Sequence, residues 1–95
     1  MTEAILSSSR QFTIKDDVVA RHVGEEVVLL DLESGTYFSL NGVGAIVWLG
    51  LERKDSLESI AATVVDGYDV DFASAHNDIA AFLEAMAGAG ILVAS

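Results

Sequence analysis

Between residues 18 and 40 the chain carries three short runs rich in β-branched, aliphatic and aromatic residues, and each break between them contains a glycine. The runs are 18–23 (VVARHV), 26–32 (EVVLLDL) and 36–40 (TYFSL), separated by Gly24-Glu25 and by Glu33-Ser34-Gly35. Strand-length runs joined by such short turns predict an antiparallel three-stranded meander. Strand side chains alternate, so Phe38 and Leu40 share one face of the third run and Tyr37 and Ser39 the other.

Beyond residue 40 the apolar period changes to that of helices. Asn41 is the expected N-cap of a short helix carrying Val43, Ile46, Val47, Trp48 and residues 49–51, with Trp48 as a core anchor. The charged turn 52–55 ends it. Asp55, three residues before Glu58, resembles a capping box for a second helix with Leu57, Ile60, Ala61, Val64 and Val65 as its stripe. Gly67 is the expected left-handed terminator. A third helix is predicted from Asp71 or Phe72 to Ala87, with Phe72, Ala75, Ile79, Phe82, Leu83 and Met86 on one face. Gly88 and Gly90 end it, and Ile91, Leu92 and Val93 fold back onto the core. The fold class is α+β, a winged-helix-like domain over residues 11–95 with three strands followed by three helices. Residues 1–10 read as a mobile arm.

Charge narrows the function. Five cations (Arg10, Lys15, Arg21, Arg53 and Lys54) face fifteen acidic residues, a formal charge of −10. Nucleic-acid binding draws most of its affinity from neutralising phosphates, so a chain without a basic stripe is a poor candidate, and anionic membrane surfaces are disfavoured likewise. With no cysteine there is neither a disulfide framework nor a thiolate site. No signal-peptide core and no membrane span is apparent, so a cytoplasmic location is expected.

A meander ends at its third strand, which places 36–40 at a sheet edge. Proteins usually blunt such edges with lysine, proline or a bulge, and this run has neither lysine nor proline. Two readings stay open. The edge is hidden by the protein itself or by self-association, or it is kept for an extended peptide that adds as a further strand.

The run LLDLESGTYFSLNGVGAIVW (residues 29–48) resembles the PqqD-like family: a strand, a Gly-aromatic strand, Leu-Asn, and a helix opening Gly-x-x-(Ile/Val)-Trp. The likeness continues through Ser56-Leu57-Glu58-Ser59-Ile60, Tyr68-Asp69-Val70, Asp78-Ile79, Phe82-Leu83 and the Gly-Ile-Leu ending, over residues 15–93. The resemblance implies a recognition element that binds the leader of a ribosomally made precursor peptide between the third strand and the third helix. Carried onto this sequence, the groove is walled by Thr36, Tyr37, Phe38, Ser39 and Leu40, and by Ala75, Asp78, Phe82 and Met86. Tyr37 is the better groove candidate and Phe38 the better core candidate. The branch it looks most like is the free-standing leader-binding protein of lasso-peptide clusters. The partners implied there are the leader peptide, a cysteine leader protease and an asparagine-synthetase-like cyclase, with the chain a monomer or weak dimer. The alternative branch, a peptide chaperone for pyrroloquinoline quinone synthesis, tends to open that helix with Leu-Asn-x-x-Ala, from which Gly44 departs.

No cofactor, metal site or catalytic residue is expected. The serines cluster away from any His-Asp pair, and Gly42-Val43-Gly44 lacks the rest of a phosphate-binding fingerprint. His76 has no second ligand at metal spacing, and Asp69-Val70-Asp71 lacks the remaining calcium-loop pattern. Asp78 is read either as a partner for a basic leader residue or a backbone amide, or as a solvated helix charge. A winged-helix DNA-binding protein and a self-associating structural subunit are the alternatives from other classes.

Overall fold

The computed structural model describes residues 11–94; the arm expected over residues 1–10 lies outside them. The elements are β1 (Phe12–Ile14), β2 (Val18–Val23), β3 (Glu26–Asp31), β4 (Tyr37–Leu40), α1 (Val43–Glu52), α2 (Leu57–Gly67), α3 (Phe72–Gly88) and β5 (Leu92–Ala94). The expected meander forms an antiparallel sheet in the order β2-β3-β4. Gly24, at φ +61, takes the first central position of the two-residue hairpin between Val23 and Glu26, where a side chain would be strained.

A second, unexpected ribbon joins the two ends of the described chain. β1 pairs antiparallel with β5, with Phe12 opposite Ala94 and Ile14 opposite Leu92. Two three-residue strands about eighty positions apart leave no local signature. The fold-back of Ile91 and Leu92 onto the core was legible, but Val93 points outward, 52% exposed, and the partner strand was not legible.

One face of the meander packs on the helices. Val27 and Leu29 of β3 point inward and join Trp48, Val47, Ile60, Val64, Ile79, Leu83 and Ile91 in one core. Trp48 is fully buried and still donates its indole N–H to Glu52 Oε2 at 3.0 Å, one helical turn on. Gly50 lets α1 and α2 approach closely: a Cβ there would meet Ile60 Cγ1 at 2.5 Å. Phe72 is half-exposed at the start of α3 and packs on His76, ring centroids 5.9 Å apart, so the buried stripe begins at Ala75 instead.

Helix ends differ from the sequence reading in informative ways. The N-cap of α1 is Gly42, at φ +56 and with no side-chain cap bond, rather than Asn41. Asn41 contributes its carbonyl, which accepts from Gly44 N at 3.1 Å. Ser56, not Asp55, caps α2 and accepts from Ser59 N; Asp55 is paired with Arg53. Asp71 caps α3 by accepting from Ser74 N at 2.7 Å, a bond that holds its carboxyl below the usual range. Gly67 is the last residue of α2, and the following Tyr68 is extended, so no left-handed cap forms there.

Helices α1 and α3 stop with the same device. After α3, Gly90 (φ +84) donates to Ala87 O and Ile91 N donates to Met86 O. After α1, Lys54 donates to Leu51 O and Asp55 N donates to Gly50 O, with Lys54 itself at φ +62. Both are Schellman closures, but only one has the glycine that this conformation favours.

Among the described residues one charged side chain is buried. Asp31 is 4% exposed, and its carboxylate accepts from Glu33 N at 3.1 Å, Ser34 Oγ at 3.2 Å and Lys15 Nζ at 3.4 Å. Burial alone would push this carboxyl up; the bonds from Glu33, Lys15 and Ser34 outweigh it and hold the group below its ordinary value of 3.8. Among the described residues no helix is long and apolar enough to cross a membrane.

Two outcomes are expected. Lys54→Gly should stabilise the chain by about 1 kcal/mol, read as a raised Tm, because it relieves a left-handed non-glycine. A carboxyl depressed in the folded state stabilises above its unfolded pKa, and that contribution disappears as pH falls through the folded value. Thermal melts should therefore show stability lost on acidification below about pH 4, with a shallower fall in Asp31→Asn.

Candidate functional site

β4 has one neighbour. It pairs with β3 through Val27–Leu40, Val28–Ser39, Leu29–Phe38 and Leu30–Tyr37, and among the described residues no strand pairs with its other side. The direction of each main-chain group follows from one bond. Asp31 N donates to Thr36 O at 2.9 Å, across the next pair in the same register. In an antiparallel ladder, opposed residues alternate between those that exchange hydrogen bonds and those that do not. Thr36, Phe38 and Leu40 therefore turn their N–H and C=O groups toward β3. Tyr37 and Ser39 turn theirs outward, to the open edge.

Side chains divide on the perpendicular axis. Phe38 and Leu40 are half-buried on the helix side, while Tyr37, 70% exposed, and Ser39 lie on the outer face. The Ser39 hydroxyl donates to Glu26 Oε1 at 3.4 Å. Thr36 is exposed, and its N–H donates to Ser34 Oγ at 3.2 Å.

Beside the inner face lies the start of α1 and the middle of α3. A Cβ placed on Gly44 would sit 3.6 Å from Leu40 Cβ and 3.8 Å from Phe82 Cε1, so these three residues converge. Leu40 and half-buried Phe82 thus form the apolar floor next to the unpaired edge. Further along, Val43, Val64, Tyr68, Val70, Ala75 and Asp78 surround a small pocket of about 290 Å³. The Tyr68 hydroxyl lies 3.4 Å from where a Cβ on Gly42 would stand.

Of the residues singled out in the sequence, 36–40 and Phe82 come together at this edge. Asp78 is exposed at the pocket rim. Ala75 and Met86 are 2% and 6% exposed and pack into the core, and Ala75 also lines the pocket. They lie on the stripe of α3 that also buries Ile79 and Leu83. Tyr68, Val43 and Val70 were not singled out as site residues. The signals were the Tyr68-Asp69-Val70 triplet and, for Val43, its place in the 29–48 run of the family-like pattern.

Two of the four Lys and Arg side chains among the described residues are held by carboxylates. Lys15 is held by Asp31 and Glu33, and Arg53 by Asp55. No cluster of residues suited to a metal ion occurs among the described residues.

The family model described as "Coenzyme PQQ synthesis protein D (PqqD)" matches residues 26–92. No curated protein matches the chain. Among solved structures, the chain is similar to that in "TbiB1 in Complex with the TbiA(beta) Leader Peptide". Identity is 40% and the TM-score 0.80, over 85% of this chain and 94% of that one. It is also similar to the chain in "Lasso peptide synthetase B1 complexed with the leader peptide", at 27% identity and a TM-score of 0.80, over 86% and 96% of the two chains. With the meander, the three helices and most of its length matched, this chain belongs to the PqqD family.

Proposed function

We propose that this chain captures the leader segment of a ribosomally made precursor peptide in lasso-peptide biosynthesis, by adding it as a strand to β4. The observation that carries the reading is the outward direction of the Tyr37 and Ser39 main chain beside the Leu40–Phe82 floor. Two similar chains, one of them 40% identical, are known in complexes with leader peptides, which supports the same ligand here.

The energetics say what the groove must add. Four main-chain groups on Tyr37 and Ser39 allow up to four hydrogen bonds, each worth about 0.5–1.5 kcal/mol net. Micromolar affinity requires about 8 kcal/mol. Strand pairing therefore falls short, before association entropy is counted. Burial of roughly 150 Å² of apolar surface would contribute about 4 kcal/mol. Phe38, Leu40 and Phe82 are placed to take that burial, and the pocket by Tyr68 and Asp78 offers room for one more side chain. Tyr37 and Ser39 then supply the main-chain rail and its outer surface, and Thr36, bonded at both its N–H and its C=O, leads into it.

In this reading residues 11–95 act as one recognition domain in the cytoplasm. The chain supplies binding, and the chemistry belongs to a processing enzyme such as a cysteine leader protease.

Proline placement separates strand addition from other modes of binding. Ser39→Pro removes an outward N–H and spares the β3 ladder, so the chain should stay folded by circular dichroism and bind leader more than about tenfold more weakly. Phe38→Pro removes a ladder bond and should lower the Tm instead. Calorimetric titration with the TbiA(beta) leader peptide as probe should give micromolar or tighter affinity for the unaltered chain. A folded Ser39→Pro chain with unchanged affinity would contradict strand addition.

A further inference from the structure

The two sides of the proposed groove, β4 and α3, are separated in sequence by α1 and α2, yet a continuous path of hydrogen bonds joins them. At the end of α3, Met86 O accepts from Ile91 N at 3.0 Å. Ile91 O accepts from Lys15 N at 3.1 Å, on the connector between β1 and β2. The Lys15 ammonium then reaches both oxygens of Asp31 at 3.4 Å, while also donating to Glu33 Oε1 at 2.6 Å. Asp31 organises the turn into β4. Its carboxylate takes the Glu33 amide and the Ser34 hydroxyl, and that hydroxyl accepts from Thr36 N. Asp31 N meanwhile donates to Thr36 O, and Gly35 N donates to Asp31 O at 2.8 Å. Thr36 is thus held at both its N–H and its C=O, immediately before the first outward-facing residue, Tyr37.

A buried carboxylate is a poor choice if stability alone is wanted. Desolvation consumes much of what its ion pair returns, and well-packed apolar replacements for such pairs are often neutral or better. What an apolar residue cannot do is bond the Glu33 amide, the Ser34 hydroxyl and the Lys15 ammonium at once. Direction is the property gained.

We propose that Asp31, clamped by Lys15, is a positioning residue of the peptide-binding edge: it fixes Thr36, and with it the outward groups of Tyr37 and Ser39, relative to α3. This inference rests on the leader-binding reading. A strand edge set in place before the peptide arrives loses less conformational freedom on binding, so the clamp acts on affinity through preorganisation.

The test is titration of the TbiA(beta) leader peptide into the unaltered chain and into Asp31→Asn, Lys15→Met, Lys15→Arg and Ser34→Ala, each checked for folding. Ser34→Ala breaks the relay to Thr36 without stranding a buried charge, which guards against simple unfolding of the other variants. Asp31→Asn and Lys15→Met should each bind about tenfold more weakly and Ser34→Ala about threefold, while Lys15→Arg stays within about twofold. Ile60→Val, a core change on α2 outside this network, should lower the Tm and leave the affinity of the folded chain unchanged. Folded Asp31→Asn, Lys15→Met and Ser34→Ala chains that bind as the unaltered chain does would overturn the positioning role. So would an Ile60→Val chain that weakens binding in proportion to its lost stability. Failure of the unaltered chain to bind would sink the leader-binding reading itself, and this inference with it.

Discussion

The hydrogen bond from Asp31 N to Thr36 O fixes the phase of the last strand pairing, and the site depends on that phase. A shift of one residue would turn Phe38 and Leu40 to the outer face and expose what the helices now cover. It would also exchange the set of amides directed at β3 for the set directed at the open edge. Core packing and edge chemistry are therefore two consequences of one register. Val27 and Leu29, buried opposite Leu40 and Phe38, hold it from the apolar side. The Asp31-centred turn holds it from the polar side.

The sheet has two edges, and they differ chemically. β2 carries Arg21 and His22, and His22 reaches Glu52 at the end of α1. β4 carries no charged residue, ends beside Gly44, and has Phe82 next to its inner face. Charged side chains are one way proteins discourage edge-to-edge pairing, so β2 is guarded and β4 is not. An added strand on β4 would also gain an apolar floor. The acidic character of the chain fits a peptide partner better than a polyanion, and its two paired cations, Lys15 and Arg53, already serve intramolecular contacts.

Much of this was legible in the sequence, for identifiable reasons. Three β-rich runs broken by Gly-containing turns pointed to the meander, and the period of two in YFSL set the facing of Phe38 and Leu40. The span of α3 followed from Asp71 and from apolar spacing. Features set by single hydrogen bonds were less readable. Ser56 and Asp55 are both good caps, and only the chain path decides between them. Lys54 adopts a glycine-like conformation with nothing in its type to announce it. The β1–β5 ribbon depends on contacts between chain ends. Ala75 and Met86 share the apolar stripe of α3 with Phe82, and sequence spacing could not tell which of them the core would cover. Asp31 lies inside the run 26–32 with nothing in its type to announce a role, and the structure makes it the hub of the turn before the edge.

The central claim concerns two backbone amides, so residue-resolved hydrogen exchange tests it most directly. In the free chain the amides of Phe38 and Leu40 should be protected by β3, while those of Tyr37 and Ser39 exchange rapidly. Saturating leader peptide should slow Tyr37 and Ser39 and leave the alternate positions little changed. Protection of Tyr37 and Ser39 without any peptide, or no response there when the peptide is bound, would contradict the account.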